Sequence, residues 1–150
     1  MNTKIQLAYY TDNKYFALTN PNPRAIGYKA IRWDTADCCV RALAIAADCT
    51  WVEAYDFLTA KAREEFSVLN DSIGFRRWLI AAGAEWHHLP AIKGKKRMTG
   101  KEFAETHPEG RYIIYVANHE CACVDGKLRD VWNCGGKALV GYFDMSNFKF

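Results

Sequence analysis

A chain of 150 residues has the length of one domain and can bury one substantial core. Half of it is hydrophobic, with five Trp, eight Tyr and eight Phe, which excludes a disordered chain. The net charge of +3 gives no reason to expect a nucleic-acid partner, and the clearest basic cluster, Lys93-Gly94-Lys95-Lys96-Arg97, is short, lacks interleaved aromatics and reads as a solvated loop.

The first residues, Met1-Asn2-Thr3-Lys4-Ile5-Gln6, lack the apolar run of a signal peptide, and no stretch is long enough to span a bilayer. A cytoplasmic address without a membrane partner is therefore expected. The six cysteines, Cys38, Cys39, Cys49, Cys121, Cys123 and Cys134, are then expected to stay reduced. With no repeat, low-complexity tract or linker, residues 1–150 read as a single domain.

In chain order, Gln6 to Tyr10 reads as a short strand and Asn20-Pro21-Asn22-Pro23 as a loop. Asp37 is placed to cap a helix running through Val40 to Ala47, whose many alanines allow close packing on most sides. Thr50 and Glu53 form a capping-box pattern for a helix to about Phe66. A third helix is expected from Ser72 to Ala82, with Phe75, Leu79 and Ile80 on one face and Gly83 as its stop. Thr99 and Glu102 repeat the capping-box pattern for a short helix ending near Pro108.

The last third reads as strands. Tyr112 to Val116 is a continuous apolar run of the kind found in a central strand. A turn at Asn118 precedes His119 to Val124, Asp125-Gly126 is a two-residue hairpin turn, and Lys127 to Trp132 returns. Ala138 to Phe143 supplies another strand. Helices first and an antiparallel sheet afterwards make an α+β domain.

Cys38 carries the chemistry. A helix N-terminus favours a thiolate through its free N–H groups and dipole, and those N–H groups can also hold an oxyanion. A base and a group to orient it are still needed. With Asp125-Gly126 as the turn, Val124 faces Lys127, Cys121 faces Asp130 and His119 faces Trp132. His119, Cys121, Asp130 and Trp132 then share one face, with Asp130 diagonal to His119. Cys38, His119 and Asp130 are the expected catalytic set, with Asn133 competing for the role of Asp130.

The segments Asp37-Cys38-Cys39-Val40-Arg41-Ala42-Leu43 and Gly110-Arg111-Tyr112-Ile113-Ile114-Tyr115-Val116, then His119 and Asp125 through Trp132, resemble the papain-like cysteine peptidase superfamily. They are most similar to its compact bacterial and phage branches, related to the bacteriocin leader-cleaving peptidases, over roughly residues 34 to 143. The resemblance implies a Cys-bearing central helix on an antiparallel sheet, and hydrolysis of a peptide or isopeptide bond in a protein or peptide substrate through a Cys thioester, without a cofactor. Deamidation or acyl transfer on the same fold, and a non-catalytic module that binds a protein, are the alternatives. One departure concerns the Gln, or substitute donor, that such enzymes carry shortly before the Cys. Ile31-Arg32-Trp33-Asp34-Thr35-Ala36 holds no Gln or Asn, leaving Thr35, the Trp33 indole, a backbone N–H or Gln6 as stand-ins.

Other residues read as structural. Cys39 shares a helical stripe with Leu43 and Ala46, Arg41 suits an ion pair, and His87, His88 and His107 read as surface or loop residues. Zinc is the rival chemistry: His119, Cys121 and Cys123 lie on one face, and Cys38, Cys39 or Cys134 could complete a set. Alternate residues of one strand rarely converge on a tetrahedral ion, however, and no Cys-x-x-Cys pair is present, so no metal is expected.

Overall fold

The computed structural model describes residues 10–25 and 36–150. Within them the order is β1 (Phe16–Leu18), α1 (Cys38–Ala47), α2 (Trp51–Glu64), α3 (Ser72–Ala81), β2 (Glu85–His88), α4 (Gly100–Thr106), β3 (Arg111–Val116), β4 (His119–Val124), β5 (Lys127–Asp130) and β6 (Leu139–Asp144). This is an α+β arrangement. The expected strand over Gln6 to Tyr10 falls, but for Tyr10, outside the described residues.

The strands form one sheet in the order β1-β5-β4-β3-β6-β2. The sheet is mixed, not purely antiparallel: β1 runs parallel to β5, pairing Phe16 with Leu128 and Leu18 with Asp130. The antiparallel expectation failed because β1 comes from the irregular first third of the chain and is only three residues long, too short for a pattern. The other pairings are antiparallel. β4 lies in the middle and is buried at every position, so both its faces meet core.

Helices cover both faces. Pleating sends Ile113 and Ala122 to one side, where they join Phe143 and the apolar residues of α1, α2 and α3. Ile114, Cys121 and Cys123 point the other way, with Phe103 and Ala104 of α4, Leu128 and Leu139. α1 is sandwiched between β4 and α2. Its alanines make this possible, since small side chains let backbones approach closely; seven of its ten residues are buried. Its C-terminal carbonyls are held by Arg111, which donates from Nε to Ala46 O and from Nη2 to Ile45 O, each at 2.7 Å.

The capping boxes form at both expected places, Thr50 with Glu53 and Thr99 with Glu102. α3 differs from its expectation in the face it buries. Trp78 is buried with Phe75 and Leu79, while Ile80 is exposed. The i, i+3, i+4 stripe decides this, and Ile80 lies beyond it. Among the described residues no helix is long and apolar enough to cross a membrane.

The β4–β5 hairpin has the expected register, pairing Val124 with Lys127, Cys123 with Leu128 and Ala122 with Arg129. Asp125 and Gly126 both take positive φ, +48° and +77°. Such a turn matches the right-handed twist of its strands and favours glycine. A Cβ on Gly126 would also stand 3.2 Å from Pro108 Cα. Gly126→Ala is therefore expected to destabilise the domain by about 1–2 kcal/mol, the cost of a left-handed non-glycine residue. Urea denaturation measures this, and a neutral result would mean that the turn relaxes without cost.

Candidate active site

Three remote segments converge beside the start of β4: the head of α1, the β3–β4 turn and the end of β5. A tight two-residue loop, Ala117-Asn118, with Asn118 at φ +54°, starts β4 at His119. The hairpin ends β5 at Asp130. The His119 Nε2 to Asp130 Oδ2 distance is 2.5 Å, and the imidazole lies on the Trp132 indole with ring centroids 4.7 Å apart. His119 is only 7% exposed. Asp130 thus orients the ring through Nε2 and leaves Nδ1 for another partner.

Cys38 lines the same cleft as His119 and interacts electrostatically with its ring. Cys38 is the first residue of α1, as expected, and Asp37 is its N-cap. Asp37 does not cap through its side chain, however. Its carboxylate is engaged by Arg41 one turn on, by Asn22 Nδ2 at 2.9 Å and by Trp51 Nε1 at 2.8 Å. A buried guanidinium is a stronger claimant than a neutral backbone N–H. Just before it, Ala36 sits at φ +59°, and its carbonyl accepts from Asn70 Nδ2 at 2.9 Å.

Arg41 is the unanticipated link. It is 1% exposed, pairs with Asp37 through Nη1 and donates from Nη2 to Asp130 Oδ1 at 3.3 Å. The sequence suggested an ion pair for Arg41; the structure shows that one partner is the carboxylate that orients His119. Asn133, the alternative to Asp130, is occupied elsewhere: it donates to Tyr15 Oη at 3.1 Å and accepts from Gly135 N at 2.8 Å. Trp33, Thr35 and Gln6 lie outside the described residues.

Electrostatics separate the groups. The Cys38 thiol is held far below its ordinary value, first by a hydrogen bond from Cys39 and then, against the opposing effect of burial, by His119. For His119, burial disfavours the charge, but the hydrogen bonds to Asp130 and then Cys38 outweigh it and raise the imidazole to about 10. A thiolate facing an imidazolium can attack an electrophilic carbon and hand a proton to the group that leaves. Cys39, one residue along, is driven upward by its hydrogen bond to Cys38 and by burial, and remains a thiol.

Cys38, Cys39, His119 and Glu120 line one cleft of about 330 Å³, with Ala36, Asn70, Ser72, Tyr115 and Asn118. Glu120 is the residue that sequence reasoning missed. Its Oε2 lies 3.2 Å from Cys38 Sγ and 3.3 Å from Cys39 Sγ. The signal was present: alternation sends Glu120 with Ala122 to the α1 face, while His119, the first residue of β4, lines the same cleft from the end of the strand. Two sets of donor atoms lie within 4.8 Å of one another, Cys38-Cys39-Glu120 and His119-Asp130-Cys134. Hydrogen bonds hold the first set and the His119–Asp130 pair of the second together, and neither is assigned as a metal site. His119 converges with Asp130 and Cys134, not with Cys121 and Cys123 of its own strand. All six cysteines are unpaired.

Compared with known proteins, the chain matches no family model, no curated protein and no solved structure.

The Asp37–Arg41–Asp130 cluster generates two expectations. Arg41→Met is expected to cost about 3–5 kcal/mol, because it removes the buried cation shared by Asp37 and Asp130. Chemical denaturation measures this, and a loss below about 1 kcal/mol would show that the carboxylates find other partners. Asp37 is also pH-sensitive. Burial opposes its ionisation, but Arg41 and the Asn22 and Trp51 hydrogen bonds prevail and lower its value below 3.8. A depressed carboxylate stabilises the fold above its unfolded value and loses that contribution as pH falls through the folded one. Wild-type stability is thus expected to drop below about pH 4, and Asp37→Asn to flatten that part of the profile.

Proposed function

We propose that the protein is a papain-like cysteine hydrolase that cleaves a peptide or isopeptide bond, with Cys38 as nucleophile, His119 as acid and base, and Asp130 orienting the histidine. The observation that carries this reading is the convergence of Cys38, at a helix N-terminus, with His119, whose ring is held by Asp130, at the wall of one cleft. Structural cysteines and histidines seldom meet in this order with a carboxylate on the far ring nitrogen.

The proposed reaction has two halves. Cys38 Sγ attacks the carbonyl carbon, the C–S bond forms, and the carbonyl π pair moves to oxygen. That oxygen is met by N–H groups at the head of α1. As it collapses, the C–N bond breaks, and the His119 Nδ1 proton goes to the departing amine. The thioester is then attacked by water, whose proton His119 accepts, and the acid leaves as the thiolate is restored. Replacing water by an amine gives acyl transfer, and a side-chain amide substrate gives deamidation. The substrate is a protein or peptide, because the chemistry needs an amide carbonyl and the cleft offers mainly uncharged polar walls in Asn70, Ser72, Tyr115 and Asn118.

The test is alkylation by iodoacetamide near neutral pH, mapped by mass spectrometry. One thiol, Cys38, is expected to react about 10²–10⁴-fold faster than the rest, the range in which a positioned base acts. Cys38→Ala is expected to lose the fast thiol, Cys39→Val to keep it, and His119→Gln to slow it. Fast labelling that survives Cys38→Ala would remove the mechanism.

A further inference from the structure

Glu120 takes no part in the triad, yet its Oε2 is the atom on which both thiols of α1 converge, at 3.2 Å and 3.3 Å. It is 5% exposed and lines the cleft. The groups facing it are Cys38 and Cys39 from α1, Tyr115 opposite on β3, His119 beside it on β4, and Arg76 from α3 across an adjoining crevice. None of the described residues forms a salt bridge with it. The positive charge of His119 is already matched on its Nε2 side by Asp130. A carboxylate and a thiolate that close, buried together, repel strongly, so one of the two must hold a proton.

We propose that Glu120 is a further catalytic residue beside that triad, protonated in the reactive form of the site, where its carboxyl O–H donates a hydrogen bond to Cys38 Sγ, and that its ionisation switches the nucleophile off. This rests on the hydrolase reading and deepens it by naming how that site is regulated. Burial, then the charge on Cys38, pushes the Glu120 carboxyl up to about 7, in agreement with the geometry. In the reactive form Glu120 is a neutral acid, Cys38 a thiolate and His119 an imidazolium. As the C–S bond forms, charge leaves the sulfur for the carbonyl oxygen, and the Glu120 O–H is released from the sulfur without being transferred. At higher pH one proton leaves Glu120 for solvent and another passes from His119 to Cys38. The result is a thiol donating to a carboxylate, beside a neutral imidazole, and that thiol is no nucleophile.

The experiment is the pH profile of Cys38 alkylation by iodoacetamide in wild type and in Glu120→Gln, which keeps a donor but cannot ionise. In wild type the rate is expected to fall about tenfold between pH 6 and pH 8, as one group titrating near 7 requires. In Glu120→Gln it is expected to hold through that range, because Cys38 then stays a thiolate. The wild type alone gives a second readout: the ¹³C resonance of the Glu120 carboxyl is expected to titrate near 7 and not near 4.5. An unchanged profile in Glu120→Gln, or a carboxyl that titrates near 4.5, overturns the role of Glu120 and leaves the hydrolase reading standing. A Cys38 that is slow at every pH in wild type overturns the hydrolase reading, and this inference with it.

Discussion

The guanidinium of Arg41 holds the molecule in register. It is buried in the middle of α1, with Asp37 on one side and Asp130 on the other. Asp37 is the residue from which α1 starts, and Asp130 ends β5 and orients His119. One planar cation therefore fixes the head of the helix relative to the end of the strand. Two carboxylates and one guanidinium are costly to bury, and replacing such a cluster by hydrophobic residues is often neutral or stabilising. What it supplies instead is position: the fork geometry of arginine dictates where both acids lie, which a point charge such as lysine would not do.

From that anchor the rest of the site follows by short steps. Cys38 is adjacent to Asp37, so fixing the carboxylate fixes the thiol. His119 is hydrogen-bonded to Asp130, so fixing the second carboxylate fixes the imidazole. The tight turns on either side of β4 do the remaining work, since Asn118 and the Asp125-Gly126 pair set which residues of β4 begin and end the strand. A slip of one residue would exchange the faces of His119 and Glu120. The burial of β4 on both faces makes such a slip costly, because Cys121 and Cys123 fill one core and Ala122 the other.

Much of this was legible in the sequence where local chemistry and period agree. The capping boxes at Thr50 and Thr99, the alanine-rich α1, the Asp125-Gly126 turn and its register are all local, and the His119–Asp130 pairing follows from that register alone. What was illegible depended on contacts between distant segments. β1 is too short to carry a period and pairs parallel with β5. Asp37 has the right identity for a capping side chain but is claimed by Arg41, Asn22 and Trp51. Glu120 stands one residue from His119, on the face toward α1. Its importance comes from the helix packed against that face, which no reading of the strand by itself supplies.

The two adjacent cysteines carry the last step. In isolation Cys38 and Cys39 are the same thiol, yet their surroundings drive them in opposite directions, Cys38 toward the thiolate and Cys39 away from it. A helix turns about 100° per residue, so only one of them can face the imidazole. Cys39 turns toward the core yet keeps its sulfur near Cys38 and Glu120, where a permanently protonated thiol is a donor to whichever neighbour is charged. Under the proposed mechanism this gives the second cysteine a use that a core hydrophobe would not have. An aliphatic side chain at position 39 would fill the same space but leave the Cys38 charge one hydrogen bond poorer. The buried groups then balance: with Glu120 protonated, Arg41 and His119 oppose Asp37, Asp130 and Cys38, leaving one net negative charge at the helix N-terminus, where the helix dipole favours it. An ionised Glu120 would add a second, and the site as built has no cation among the described residues within salt-bridge distance to meet it.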